Sequence, residues 1–367
     1  MGDPRADELR ARGIDHPRAE DDADLIEAVD ILLELGASLD ELAEKGFARA
    51  ASAHSIRPHP WHGDAFNAAL DSIGVDEEFS TKLRIAMGLA GGSGLGLTAA
   101  ELDATRFFAS LRDVVGEAET LSIVRVLGSS TARIARATAS LLRVNFQPPI
   151  DNSTAPLSDA LRAYAALIET SLPPFLDATA TLVQRHLAGI IAEEKDWRVD
   201  ESHSAELVDQ VIGFADLIGF TAFTEQADAE QFMAAMARFE SQVQDAVVGS
   251  GGTVVKLIGD EVMFVTADAH EAVEVAVALL SVGRDIAGLE GMRVGLSGGQ
   301  VISSGGDYYG TVVNIAARIV AQAFTEAIVG TAQVVHMLGL QADATSLGEH
   351  ALRGISQPVE LFHIKST

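Results

Sequence analysis

The chain has 367 residues, nearly half of them hydrophobic, which is enough for two domains with separate cores. Its 26 Lys and Arg against 53 Asp and Glu give a formal charge of −27, which argues against nonspecific binding to nucleic acid or anionic membranes. The absence of cysteine excludes disulfides, thiolate nucleophiles and cysteine-based metal sites. The sequence shows neither the apolar core of a signal peptide nor an apolar run that could span a bilayer, so we expect a cytoplasmic, soluble protein.

The first half of the chain has the pattern of a helical protein. Residues 1–20 are charged and contain proline, so a mobile lead-in is expected there. From Asp22 onward apolar residues recur at helical spacing. Glycines predict breaks at Gly116 and at residues 128–130. No catalytic constellation is recognisable in this half.

A long helix is predicted to begin after Pro173 and Pro174 and to end near Asp196. Its apolar stripe could pack in a core or pair with a second copy of the chain. The sequence therefore predicts an all-helical domain over residues 21–197, followed by a polar linker over residues 198–205.

Two segments of the helical half have unusual compositions. Residues 48–63 contain His54, His59 and His62 among prolines. They form either a proline loop with solvated imidazoles or a pH-responsive contact, because histidine changes charge near neutrality. Residues 91–96 are rich in glycine, but no strand is predicted before them, which favours a flexible turn over a phosphate loop.

Strands and helices alternate after about residue 205. This order predicts an α+β sandwich over residues 206–367, with helices packed on one mixed sheet. Asp216 and Asp260 each follow an apolar strand at a turn that contains glycine. Two such carboxylates suit Mg²⁺ that keeps water ligands and is completed by substrate phosphates, whereas the alternative is that both are ordinary turn residues.

The turn after Asp216 leads into a predicted helix. Its backbone N–H groups at Gly219, Phe220 and Thr221 form a natural cradle for a phosphate.

A third stretch of interest is the helix that begins at Gly310. Asn314 and Arg318 are four residues apart and therefore lie on one face of it. Such a pair could clamp a phosphoryl transition state, although an exposed Asn and Arg are also common on amphipathic helices.

Together the stretches Phe214–Thr221, Lys256–Glu261 and Asp307–Arg318 resemble the catalytic domain of the class III nucleotide cyclases. Six polar positions match this family in order and in motif context, and the resemblance covers roughly residues 206–367. It implies an adenylyl cyclase that converts ATP to 3′,5′-cyclic AMP and pyrophosphate. The alternatives are a nucleotide-binding signalling module with little turnover and a guanylyl cyclase.

The resemblance also implies two metal ions, Mg²⁺ or Mn²⁺, in each active site. Asp216 and Asp260 would be the metal-binding aspartates, with Leu217 beside them. Phe220 and Thr221 would belong to the substrate site.

Further residue roles are implied for the nucleotide. Lys256 would contact a ring nitrogen of the purine and Asp307 its amino group, which is the adenine-selective combination. Guanine presents the reverse donor and acceptor pattern at these positions. Asn314 would orient the ribose, Arg318 would stabilise charge on the phosphates, and Arg353 would contact the triphosphate.

In this family the two aspartates come from one catalytic domain and the other four residues from its partner. One chain holds one copy of each set, so the resemblance implies a head-to-tail homodimer with two equivalent sites. The helical half resembles the regulatory domain of soluble, pH-responsive mycobacterial-type adenylyl cyclases. That resemblance implies a switching domain that reads pH or binds a lipid or other apolar ligand, and the alternative is a dimerisation scaffold without sensing.

Overall fold

The computed structural model describes most of the chain, and its contacts divide the chain into the units Met1–Val199 and Asp200–Thr367. The described part of the first unit is helical, and that of the second combines a sheet with helices. The predicted fold class is therefore confirmed. The predicted linker, the glycine-rich turn, His59 and His62 lie outside the described residues, which are 2–56, 68, 71–72, 74–89, 98–145, 155–193, 206–286, 290–339 and 343–365.

The helical unit has its core between α2, α4 and the first half of α8, where Leu25, Leu32 and Leu161 are almost fully buried. Its helices in chain order are α1 (Pro4–Ala11), α2 (Asp22–Glu34), α3 (Leu39–Lys45), α4 (Phe47–Ile56), α5 (Glu77–Ala86), α6 (Ala99–Val115), α7 (Glu117–Asn145) and α8 (Leu157–Glu193).

The prediction of a mobile lead-in over residues 1–20 is wrong, because α1 is a capped and packed helix. The side chain of Asp3 caps it and Pro4 opens it, which suits the first helical position. Leu9 is buried, and Arg10 donates to Asp22 of α2 at 2.8 Å. The apolar contact and the ion pair together fix this segment on the helical core.

The predicted break at Gly116 is confirmed, since α6 ends there, but the break at residues 128–130 is wrong. The helix α7 runs through Gly128 without interruption. A Cβ atom at Gly128 would lie 2.6 Å from the carbonyl oxygen of Ala86. This glycine therefore allows α7 to approach α5 closely and does not end a helix.

The helix predicted to start after Pro173 and Pro174 is instead the second half of α8, which includes both prolines. A proline removes one backbone hydrogen bond from a helix, but its φ angle is compatible with helical structure. Each side of the proline pair is long enough to continue as helix, so the loss of two bonds does not divide it.

The sheet unit contains eight strands in the described residues, in the order β2-β3-β1-β4-β6-β8-β7, with β5 paired to β4. The pair β4 and β6 is parallel, and the others are antiparallel. The strands are β1 (Glu206–Ile218), β2 (Thr253–Ile258), β3 (Glu261–Thr266), β4 (Gly291–Ser304), β5 (Asp307–Tyr309), β6 (Ile328–Thr331), β7 (Ala344–His350) and β8 (Val359–Ile364).

Five helices accompany this sheet in the described residues, namely α9 (Phe220–Gln226), α10 (Ala229–Gly249), α11 (Ala269–Asp285), α12 (Thr311–Val320) and α13 (Ala332–Leu338).

The residues of β1 alternate between two apolar clusters on opposite faces of the sheet. Val211 and Ala215 belong to the cluster of α10, α11 and α13, whereas Ile212 and Phe214 belong to that of α12. Because side chains alternate along a strand, Asp216 lies on the α12 face. The alternation therefore places this carboxylate on the same side of the sheet as α12.

The helix α12 lies unusually close to β4. A Cβ atom at Gly295 would be 2.6 Å from the backbone nitrogen of Val320 and 2.9 Å from the carbonyl oxygen of Ala316. The absence of a side chain at Gly295 thus sets the distance between α12 and the sheet, and with it the position of Arg318.

Candidate active site

Asp216 lies near the C-terminal end of β1, which is paired with β3 on one side and β4 on the other. The strand register places it opposite Glu261 of β3 and Arg293 of β4. Residues that face each other on adjacent strands share a face of the sheet, so these three charged side chains lie together.

Arg293 holds the Asp216 carboxylate directly. Its Nη2 and Nε atoms donate to Oδ2 of Asp216 at 2.6 and 3.0 Å, and Nη1 donates to the carbonyl oxygen of Ala321 at 3.3 Å. The sequence analysis missed Arg293. A charged residue between the apolar Met292 and Val294 in a predicted strand is the signal that could have found it.

Asp260 occupies the turn between β2 and β3. The N–H of Leu217 donates to its carbonyl oxygen at 3.3 Å, which ties this turn to the end of β1. Burial raises the pKa of Asp260, and the nearby charge of Asp216 raises it further, while a hydrogen bond from its own backbone N–H and the charge of Arg293 partly offset both effects. The Leu217 side chain is buried on the opposite face, so only its main chain could contribute to a metal site.

Glu261 follows directly and is also half-buried. Burial is the main cause that raises the pKa of Glu261, followed by the charges of Asp216 and Asp260. The positive charges of Arg293 and Arg318 act in the opposite direction. The end of β1 and the β2–β3 turn therefore concentrate more negative charge than Arg293 alone neutralises.

This arrangement fits divalent metal ions. The described residues contain no group of three or more Asp, Glu, His or Cys side chains that could enclose a metal. Asp216 and Asp260 nevertheless offer oxygen ligands, and Asp260 is destabilised as an anion, which a bound cation would relieve. Mg²⁺ and Mn²⁺ accept one or two carboxylates and complete their shells with water and phosphate oxygens.

Lys256 and Asp307 form an ion pair, with 2.5 Å between Nζ and Oδ2. The residues are far apart in sequence, and their strands β2 and β5 are not neighbours in the sheet. Both side chains are half-buried. The fold therefore brings a cationic donor and an anionic acceptor to one place.

Asn314 and Arg318 lie on the exposed side of α12, while Ala316 and Val320 are buried against the sheet. Nε of Arg318 donates to the backbone carbonyl of Arg353 at 3.4 Å. The structure thus brings Arg318 and the backbone of Arg353 together and leaves Asn314 one turn away.

Phe220 and Thr221 begin α9 directly after β1. Gly219 precedes them with a φ of +83°, and the first helical bond runs from the N–H of Phe223 to the carbonyl of Gly219 at 3.0 Å. The N–H groups of the first turn therefore have no partner within the helix. The ring of Phe220 packs at 6.1 Å from that of Phe232, and Thr221 is exposed.

Comparison with known proteins identifies the family to which the sheet unit is similar. Residues 204–366 match the family described as Adenylate and Guanylate cyclase catalytic domain. An adenylate cyclase of Streptomyces coelicolor is 32% identical over 266 residues, which cover 71% of this chain and 68% of that protein. The chain belongs to the class III nucleotide cyclases. Its cyclase domain is thus of a kind that acts on adenine or guanine nucleotides.

Other matches extend to the helical unit. An uncharacterized protein of Mycobacterium tuberculosis is 31% identical over 369 residues, covering 98% of this cyclase and 93% of that protein. A protein of the same species named pH-sensitive adenylate cyclase is 26% identical, covering 67% of this cyclase and 63% of that protein.

Solved cyclase structures are also similar. The adenylyl cyclase CyaB of Pseudomonas aeruginosa is 21% identical with a TM-score of 0.38, covering 45% of this cyclase and 97% of that chain. A guanylate cyclase domain from Catenaria anguillulae is 19% identical with a TM-score of 0.40, covering 44% of this cyclase and 99% of that domain. Within the described residues of this cyclase, no helix has the length and apolar character needed to cross a membrane.

Proposed function

We propose that this cyclase converts ATP to 3′,5′-cyclic AMP and pyrophosphate. The observation that carries the proposal is the contact between Lys256 and Asp307. A Lys donor complements a ring nitrogen of adenine and an Asp acceptor complements its exocyclic amine, whereas guanine presents the reverse pattern. The Streptomyces relative named adenylate cyclase agrees with this choice of purine.

In the proposed reaction the ribose 3′-oxygen attacks the α-phosphorus. The bond from this phosphorus to the bridging oxygen breaks, pyrophosphate leaves, and the hydroxyl proton passes to solvent. Two divalent ions, bound by Asp216 and Asp260, would supply charge neutralisation and a lower pKa of the 3′-hydroxyl. Asn314 would orient the ribose, and Arg318 would donate to the phosphate oxygens that gain charge.

The remaining residues would hold the triphosphate. First-turn N–H groups at Phe220 and Thr221 would bind phosphate oxygens, with the positive end of the helix dipole behind them. The exposed guanidinium of Arg353 would add a charged contact from the partner chain. Catalysis then depends on positioning and charge neutralisation, without a strong protein base.

The base specificity can be tested in the full-length enzyme with ATP and GTP, each with Mg²⁺ and with Mn²⁺. We expect the wild type to prefer ATP in kcat/KM. The double variant K256E/D307G removes the Lys donor and the Asp acceptor, and it should lower the ratio of ATP to GTP kcat/KM by about 10²-fold. A wild-type preference for GTP would favour a guanylyl cyclase, and binding of nucleotide without product would favour a signalling module.

We further propose that the working enzyme is a head-to-tail homodimer in which Asp216 and Asp260 face Lys256, Asp307, Asn314 and Arg318 of the partner. Mixing inactive D216A and R318A chains tests this. A random mixture should regain about a quarter of wild-type activity, because half of the dimers then hold one intact site. Failure to regain activity, with mixed dimers confirmed, would place both residues in one chain's own site.

The helical unit is proposed to regulate the cyclase domain through pH. Nε2 of the buried His54 lies 2.7 Å from a carboxylate oxygen of Glu41 in the helical core. Burial would raise the pKa of Glu41, but hydrogen bonds from His54 and Lys45 outweigh it and lower this pKa. Comparing the pH profiles of wild type and His54→Gln in the full chain would test the contact, and identical profiles would exclude it. An apolar ligand in this unit stays a prediction from the resemblance.

A further inference from the structure

The second half of α8 carries a row of large aliphatic side chains on its surface. Leu176, Val183, Leu187, Ile190 and Ile191 are between 46% and 59% exposed in the described structure. Monomeric proteins seldom expose a continuous apolar patch of more than a few hundred Å², and five half-exposed aliphatic side chains reach that order. The first half of the same helix, in contrast, buries Leu157 and Leu161 in the helical core, so the exposure begins where that core ends.

The spacing of this row is that of a coiled-coil seam. Leu176, Ala180, Val183, Leu187 and Ile190 alternate at intervals of four and three residues, which is the 3.5-residue repeat of two paired helices. We call these five residues the α8 seam.

A second apolar line on α8 is distinct from the seam. Phe175 and Leu182 continue the line of Leu161 and Ile168, each seven residues from the next. Leu161 and Ile168 are buried in the helical core, whereas Phe175 and Leu182 are 40% and 60% exposed, so this line leaves the core after Ile168. The seam differs from this line because none of its five residues belongs to a buried cluster of the helical unit or packs against one.

Charge along the seam favours a second copy of the chain over a charged partner. Only Asp177 and Arg185 are charged between residues 176 and 191, although the whole chain has a net charge of −27. Arg185 occupies the position opposite the seam. In a parallel pair, Asp177 would lie across from Leu172 of the partner helix, so no like charges face each other. Low charge at the centre of a contact is typical of interfaces between protein chains.

From these observations we infer that the α8 seam pairs with the same seam of a second chain as a parallel, two-stranded coiled coil. The parallel direction rests on the proposed catalytic homodimer. The two cyclase domains must meet, and each is connected to α8 through residues 194–205, which can extend at most about 40 Å. Parallel pairing brings the C-terminal ends of both helices together, whereas antiparallel pairing separates them by roughly the length of the seam.

The absence of cysteine allows a direct test in the full-length protein. The single variant Val183→Cys should form a disulfide-linked dimer on mild oxidation, because the seam brings two copies of residue 183 within bonding range. The matched control Arg185→Cys, two residues away on the opposite side, should remain at least tenfold less crosslinked. Equal crosslinking of both variants, or none for Val183→Cys, would overturn the inference.

The direction is tested with Leu176→Cys and Ile190→Cys. Each variant should crosslink with itself, and a mixture should give few links between residues 176 and 190. Predominant links between 176 and 190 would overturn the parallel arrangement. Neither readout depends on turnover, so a protein that crosslinks as expected but makes no cyclic AMP contradicts the proposed function and leaves the α8 seam supported.

A substitution that places a charge in the α8 seam gives an independent test of the pairing. Leu187→Glu should lower the apparent dimerisation affinity at least tenfold in sedimentation experiments, because it places two carboxylates opposite each other. The control Gln184→Glu, outside the seam, should sediment as wild type. Unchanged dimerisation of Leu187→Glu would also contradict the pairing.

Discussion

Each of the two units contains carboxylates that are shielded from water, but their surroundings differ. In the helical unit, Asp24 accepts backbone hydrogen bonds from Glu20 at 3.1 Å and from Leu157 and Ser158 at 2.9 Å each. Burial by itself would raise the pKa of Asp24, but these bonds and the Ser158 side chain outweigh it and lower this pKa. The ionised carboxylate is therefore satisfied, and it caps the start of α8.

In the sheet unit the pKa of the half-buried carboxylates is shifted in the opposite direction. Asp260 and Glu261 are half-buried beside Asp216, and burial with like charge raises the pKa of both. Asp260 is compensated in part by its own backbone N–H and then by the charge of Arg293, whereas Glu261 has only the charges of Arg293 and Arg318. The comparison teaches that a buried carboxylate supplied with N–H donors stabilises the fold. A carboxylate left short of donors beside others costs stability and is suited to a cation.

The largest expected effect is on activity. Asp216→Ala should lower kcat for cyclic AMP formation by about 10³-fold or more, because it removes a proposed metal ligand and leaves Arg293 without its carboxylate partner. The dimer should persist in sedimentation experiments. Asp209→Ala, an exposed carboxylate on the same strand, is the matched control and should keep wild-type activity. Activity of Asp216→Ala within tenfold of wild type would remove Asp216 from the metal site.

A second effect concerns metal binding without turnover. Mn²⁺ at about 100 times its dissociation constant should stabilise the cyclase domain by about 2.7 kcal/mol, since the ion binds only the folded state. Calorimetry of the full chain should show this as a rise in the melting temperature of one transition. The same transition in Asp216→Ala should shift far less, and an equal shift in both proteins would mean that Mn²⁺ binds elsewhere.

The helical unit should respond to loss of its buried carboxylate by loss of stability. Asp24→Asn should lower the free energy of unfolding of this unit by about 1–3 kcal/mol at pH 7, because an NH2 donor replaces one of the two carboxylate oxygens that accept from backbone N–H groups. The lowered pKa means that the wild-type advantage is present above the unfolded pKa and is lost as the pH falls through the folded value.

Urea unfolding of wild type and Asp24→Asn at pH 7 and at about pH 2.5, well below the ordinary pKa of aspartate, measures this difference. The exposed Asp177→Asn serves as the control and should change stability little at either pH. A constant difference between wild type and Asp24→Asn at both pH values would mean that the carboxylate charge is not what stabilises α8.

The smallest effect has the opposite sign. Glu261→Gln should stabilise the metal-free cyclase domain at pH 7 by about 0.2–1 kcal/mol, as expected for removing one of two like charges facing each other across strands. The raised pKa makes the Glu261 contribution favourable below its unfolded pKa and lost as the pH rises through the folded value. The gain should therefore shrink toward pH 4, measured by urea unfolding with a chelator present.

The exposed Glu240→Gln is the control for that measurement. A destabilising effect of Glu261→Gln at pH 7 would show that Glu261 contributes bonds that outweigh its repulsion. Glu261 would then stabilise its unit, as Asp24 does in the helical unit.

The amino-acid sequence alone determined the two-part organisation, the sheet of the second unit and the family. Apolar alternation and turn residues act locally, so the hairpin turn at Asp260 could be predicted from neighbouring residues. The predicted end of the first strand before Asp216 is wrong, because β1 pairs with β3 and β4 through Asp216 and continues to Ile218. The helix with Asn314 and Arg318 on one face is local in the same sense, because its geometry depends only on their spacing.

Only the tertiary structure decided which side chains meet. Arg293 reaches Asp216 because β1 and β4 pair in one particular register, and Lys256 reaches Asp307 although their strands are not neighbours. The role of Gly128 likewise depends on a helix distant in sequence. Contacts of this kind arise from long-range pairing and close packing, which local propensity and periodicity do not encode.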